Sequence, residues 1–126
     1  MESKYKYIGK LNKNSLKKYK IVTDDVVLTF ERKEHIYIDH SDDFDKIMLN
    51  IEKVILEPDE ILEDSKNPDT IFMIGKLYKN SLNVIVKLNT IGDKRHPYNS
   101  VMTAWIIRDK NLKKLRERNV SIYKKG

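Results

Sequence analysis

The 126-residue sequence contains no cysteine. That excludes a disulfide framework, a thiolate nucleophile and any metal centre built on cysteine sulfur. Histidine is scarce too, with three residues, so imidazole chemistry is confined to His35, His40 and His96. No apolar run approaches the length of a membrane span, and the opening MESKYKYIGKLNKN lacks the continuous apolar stretch of a signal peptide. These absences predict a cytoplasmic domain with no membrane partner. No repeat or low-complexity tract divides the chain, so residues 1–126 read as one domain. A chain of this size buries about two thirds of the surface it exposes when unfolded.

What is present is charge, and it is unevenly placed. Apolar residues make up 40% and charged residues 35%, enough for a core under a well-solvated surface. The net charge is +6, from 25 Lys and Arg against 19 Asp and Glu. Residues 1–20 carry seven Lys and one Glu, for +6, and residues 108–126 carry eight basic and two acidic residues, again +6. The middle compensates with −6. If the two basic ends meet in the fold they form a positive surface for phosphates; otherwise they are solvated tails.

The patterning predicts an α+β fold. Tyr5–Leu11 reads as an edge strand, Ser15–Tyr19 as a turn of helix and Ile21–Thr29 as extended chain. Thr29 suits the N-cap of a helix over Phe30–Asp39, with Arg32 at the third position beyond it. Phe44, Ile47, Met48, Ile51, Val54 and Ile55 recur at helical spacing across Asp43–Leu56, and Pro58 stops that helix. Asp59–Asp64, Thr70–Leu77, Leu82–Leu88 and Ser100–Arg108 read as strands, with Gly75 an irregularity and Tyr78–Ser81 a hairpin connection. Asn111–Arg118 is a short amphipathic helix before a last strand at Val120–Tyr123. The short connections leave no room for repeated crossover helices, so the expectation is N-terminal helices packed against a mainly antiparallel sheet.

The chemistry-bearing residues lie in two segments. LTFERKEHIYIDH at Leu28–His40 holds His35 and His40. Five residues apart, they sit about 140° from each other on a continuous helix, the wrong spacing for a shared metal ion. If the helix ends near Asp39, a turn brings them toward one cleft, where one imidazole can accept a proton and the other donate one near neutral pH. Each also has a plain structural role, as a packed or capping residue. His96, in a basic loop with Lys94 and Arg95, is the weaker candidate.

The second segment is Asn99-Ser100-Val101-Met102-Thr103, whose amide and hydroxyls can donate to phosphate oxygens. On a flat strand Ser100 and Thr103 point to opposite faces, so both reach one site only if a bulge re-aims one of them. Lys87, at the end of a strand, can stabilise charge developing on phosphate. Tyr123 and Lys124 can pair stacking on a base with a phosphate contact, although Tyr123 can equally complete the core. RNA is the substrate that matches these groups. A base removes the 2′-hydroxyl proton, the oxygen attacks the adjacent phosphate, and an acid protonates the departing 5′-oxygen. That chemistry calls for no metal or organic cofactor.

The order of these pieces resembles the phage-associated Barnase–EndoU–Colicin E5/D–RelE-like nuclease domains. The pieces are VVLTFERKEHIYIDH at Val26–His40, the next helix with LEPDEIL at Leu56–Leu62, VIVKL at Val84–Leu88, and NSVMTAWIIR at Asn99–Arg108. The likeness spans Tyr7 to Tyr123 and rests on their order rather than on any one motif. It implies a curved, mainly antiparallel sheet and metal-independent cleavage of RNA. It implies catalytic roles for His35, His40, Lys87 and Thr103, with His35 first among them. Arg32, Asn99, Ser100, Tyr123 and Lys124 are the candidate substrate-binding residues. Partners would be RNA and a cognate inhibitor or immunity protein, in a toxin-like or mobile-element setting. One departure is Asp39, which precedes His40 where the family often has arginine. A noncatalytic RNA-binding or protein-interaction domain on the same scaffold is the alternative.

Overall fold

The computed structural model describes residues 4–92 and 97–126. Lys94, Arg95 and His96 lie outside the described residues. In chain order the elements are β1 (Tyr5–Lys10), a 3-10 turn (Lys13–Leu16), β2 (Asp25–Thr29), α1 (Phe30–Asp39), a second 3-10 turn (Ser41–Asp43) and α2 (Phe44–Leu56). Then follow β3 (Glu60–Glu63), β4 (Thr70–Lys76), β5 (Ser81–Lys87), β6 (Asn99–Ile107), α3 (Asp109–Arg118) and β7 (Val120–Lys124).

Both long helices start and stop for local reasons. The Thr29 hydroxyl accepts the Arg32 backbone N–H at 3.2 Å, satisfying one of the free donors of the first turn of α1. At the other end His40 leaves helical geometry, at φ −137° and ψ 45°, while its N–H still reaches the Ile36 carbonyl at 2.9 Å. In α2, Ile47, Ile51, Val54 and Ile55 form the buried stripe, with Asp45 in the first turn and Lys53 in the last, each matching the helix dipole. Burying each of those four side chains stabilises the fold by about 1.5–3 kcal/mol.

The seven strands form one mixed sheet in the order β1-β2-β6-β5-β4-β3-β7. Every neighbouring pair is antiparallel except β2–β6, which is parallel through Val26–Asn99 and Val27–Ser100. The sheet draws strands from both halves of the chain rather than from the second half alone. The connection that makes β2–β6 possible spans most of the sequence, which no local pattern records.

The sheet has cores on both faces. On one face Ile71, Met73, Leu82, Val84 and Val86 meet Ile47, Ile51, Val54 and Ile55 of α2. On the other, Leu62, Phe72, Ile74, Ile85 and Ile107 meet Leu112 of α3. The third helix, expected from sequence over Asn111–Arg118, packs on the face opposite α2. Gly75 is no strand irregularity: β4 stays in register with β5 through it. Its role is clearance, since a Cβ there would lie 2.4 Å from Val54 Cγ2.

The two basic ends meet in part. β1 and β7 occupy opposite edges of the strand order. The segment after β1, which carries Lys13, Lys17, Lys18 and Lys20, reaches β3 and β7: its 3-10 turn contacts β7, and Lys18 is paired with Glu63 at 2.6 Å. Among the described residues, no helix is long and apolar enough to cross a membrane.

Candidate functional site

The α3 face of the sheet collects most of the polar residues singled out from sequence. Cross-strand partners point the same way, and β5 alternates, so Asn83, Ile85 and Lys87 share this face. Their β6 partners are Trp105, Thr103 and Ser100. Regular alternation would have separated Ser100 from Thr103. It does not, because the register shifts between Ile85 and Val86 and leaves Met102 as the extra residue of a bulge. The bulge is the feature that puts both hydroxyls on one side.

His40 closes one end of this row. Its ring stacks on Trp105 with centroids 6.3 Å apart and planes inclined by 28°. Trp105 also packs into the second core, so the imidazole rests on a braced surface. Lys87 closes the other end. It is exposed, and its ammonium donates to the Pro68 carbonyl at 3.0 Å, leaving two of its three N–H groups for a ligand. Asp69, Lys87, Thr90, Tyr98 and Ser100 line a cavity of about 200 Å³ there. Asp69 lies in the left-handed region at φ 57°, which Asp tolerates better than most residues, and its carboxylate accepts the Thr90 hydroxyl at 2.9 Å. Thr103 stands between the two ends, roughly 7 Å of strand from each, by a rise of about 3.4 Å per residue.

His35 has a different place. It is exposed on α1, on a stripe with Arg32 and Asp39 at spacings of three and four residues. Tyr37, on the opposite flank of the helix, contacts Phe44 of α2 edge-on at 5.2 Å. The imidazole that the fold sets against Trp105, at the end of the row, is therefore His40, whereas sequence favoured His35.

Two other candidates have structural duties. Asn99 is fully buried; its amide donates to the carbonyls of Thr23 at 2.8 Å and Asp25 at 3.0 Å, and its oxygen accepts the Asn89 N–H at 2.8 Å. With those groups spent on backbone, it straps β6 to the chain entering β2 and does not face a substrate. Tyr123 pairs with Ile61 on the α2 face and packs into the first core, whereas Lys124 pairs with Glu60 on the α3 face. Adjacent on one strand, they point apart, so they do not form a joint base-and-phosphate contact. Arg32 is exposed and its backbone is used in the cap.

Sequence reasoning did not find Asp69, Thr90, Tyr98 or Asn83. The position of Asp69 beside Lys87 depends on β4–β5 pairing. Asn83 is fully buried opposite Trp105, and neither polar atom of its amide has a partner among the described residues. No group of three or more His, Asp or Glu side chains is placed to hold a metal ion among the described residues. Comparison with family models, with curated proteins and with solved structures returned no match.

Proposed function

We propose that the protein is an endoribonuclease that cleaves RNA by 2′-hydroxyl attack without a metal. The observation carrying this reading is the single row formed by His40, Thr103, Ser100 and Lys87, created by the bulge at Met102. A phosphate seated over Thr103 is two strand steps, roughly 7 Å, from either end. His40 takes the 2′-hydroxyl proton, and the 2′-oxygen forms a bond to phosphorus as the bond to the 5′-oxygen breaks. Thr103 and Ser100 donate to the nonbridging oxygens, and Lys87 swings from the Pro68 carbonyl to offset the growing negative charge. The leaving 5′-oxygen takes a proton from water, giving a 2′,3′-cyclic phosphate and a 5′-hydroxyl. The resemblance to phage-associated nuclease domains implies His40, Lys87 and Thr103 as well but puts His35 first, and a toxin-like role with a cognate inhibitor rests on that resemblance alone.

One observation favours a second reading, RNA binding without cleavage. Trp105, on which His40 stacks, and Lys87 stand about four strand steps apart, roughly 14 Å along the backbone, which suits successive nucleotides as well as one phosphate. Incubation with mixed RNAs in EDTA separates the two. Cleavage is expected, and His40→Ala lowers its rate about 100-fold or more with the circular dichroism unchanged, the usual scale for a positioned proton carrier. Binding with no cleavage would select the second reading. Loss in His35→Ala with none in His40→Ala would reverse the assignment of the two imidazoles.

A further inference from the structure

A second concavity lies at the opposite end of the same sheet face. It is a cleft of about 700 Å³ between the β4–β5 hairpin, α3 and β7. Six cations line it: Lys76, Lys79, Lys113, Arg116, Lys124 and Lys125. Against them stand three carboxylates, Asp59, Glu60 and Asp109, so six less three leaves an excess of +3. Asp59 is occupied in shaping the rim: its Oδ2 accepts the Lys76 backbone N–H at 2.6 Å and its carbonyl accepts that of Lys125 at 2.9 Å.

Glu60 is the member without an explanation in the fold. It is 4% exposed and lines the cleft, with Lys124 beside it on one side and Ile74 on the other. Its Oε1 accepts from Arg116 Nε at 2.8 Å, but its Oε2 is buried with no partner among the described residues. A buried acceptor left unmet is destabilising, more so when charged. The site thus asks a ligand for negative charge along its rim and for a hydrogen-bond donor at its base. A phosphodiester supplies the first alone, since it has no P–OH to donate. A ribose-phosphate chain supplies both, because each nucleotide brings a phosphate and a 2′-hydroxyl that can donate. A deoxyribose chain lacks that donor.

We propose that this cleft is a second RNA-binding site, separate from the His40–Lys87 row, in which the lysines contact phosphates and Glu60 Oε2 accepts from a ribose hydroxyl. It rests on RNA being the substrate and adds that long RNA is gripped at two places. Ser81, in the cleft, and Lys87, in the row, are six residues apart on β5, roughly 20 Å. Bases spanning that distance would lie across the sheet face.

The test uses His40→Ala protein in EDTA and a short labelled single-stranded RNA, followed by fluorescence anisotropy across a salt series. Adding Lys113→Ala, Lys124→Ala and Lys125→Ala, all at exposed positions, lowers affinity about tenfold. The slope of log affinity against log salt falls by about 2, as expected for three lost phosphate contacts on a single strand. Lys4→Ala, Lys6→Ala and Lys20→Ala, an equal charge change at other exposed positions, leave affinity within about twofold. Glu60→Gln narrows the preference for RNA over DNA of the same sequence; if it fails to fold, the lysine variants still decide the site. Equal losses in the two lysine sets, or none in the cleft set, overturn the proposal. With His40 restored, the cleft variants raise KM for long RNA at unchanged kcat and leave dinucleotide cleavage alone. Normal cleavage with an unchanged KM sinks the cleft and spares the nuclease; a cleft-dependent grip without cleavage does the reverse.

Discussion

Asn99 illustrates how a polar residue chosen for chemistry can be spent on architecture. Amides suit phosphate recognition by residue type, but the same amide suits a buried gap between two backbones, and only pairing geometry decides. Asn99→Ala removes three hydrogen bonds and leaves buried backbone groups unmet. The expected loss is about 2–3 kcal/mol in urea denaturation, with RNA affinity of the folded fraction unchanged. A second residue-scale outcome concerns Tyr19 and Glu63, whose hydrogen bond ties the segment after the first 3-10 turn to β3. Hydrogen bonds from Lys18 and Tyr19 hold the Glu63 carboxyl below its ordinary value. Burial, then the bond to Glu63, pushes the Tyr19 hydroxyl up. The Glu63 contribution is therefore present above the unfolded carboxyl pKa of about 4.3 and is lost as pH falls through the lower folded value. The Tyr19 contribution is complete below about pH 10 and is lost as pH rises through the raised folded value. Tyr19→Phe should flatten the alkaline limb of stability against pH, make the acid limb shallower, and cost about 1 kcal/mol at neutral pH.

Elements were the most legible scale. Thr29 and Phe30–Asp39 stand where the cap and the helical pattern put them, and α2 starts one residue later than expected because Asp43 occupies its N-cap. The β4–β5 hairpin follows from two apolar runs with a short polar break. What the pattern could not carry was the pairing of one element with another. Gly75 was visible as an oddity within a strand, but its cause sits on α2. Gly75→Ala drives a methyl into Val54, whose branched side chain has little freedom to move. It should destabilise by about 1–3 kcal/mol. Combining it with Val54→Ala should recover part of that loss, a coupling of about 0.5 kcal/mol or more in a double-mutant cycle. The bulge at Met102 was likewise foreseeable only as a condition: Ser100 and Thr103 could share a face if a bulge lay between them. Its presence depends on how β5 holds β6, through residues nearly twenty positions away.

At the scale of the whole molecule, the sheet sorts function by face. Apolar residues under α2 stabilise one side, and the other carries the His40–Lys87 row at one end and the basic cleft at the other. Strand order, including the parallel β2–β6 pair, sets His40 against Trp105 of β6, because α1 follows β2 directly and β2 lies next to β6. That adjacency joins residues about seventy positions apart, beyond the reach of any periodicity. Charge was legible as composition at the chain ends but not as a surface. The basic C-terminal residues gain a cleft from the β4–β5 hairpin, while the basic N-terminal strand lies on the far edge. The most direct test of the row as a catalytic site is the chemistry of the RNA ends it leaves in EDTA. A 2′,3′-cyclic phosphate opposite a 5′-hydroxyl, with cleavage abolished by a 2′-O-methyl group at the cut nucleotide, is the expected result. Ends bearing a 5′-phosphate and a 3′-hydroxyl, or cutting that ignores the 2′ position, would contradict it.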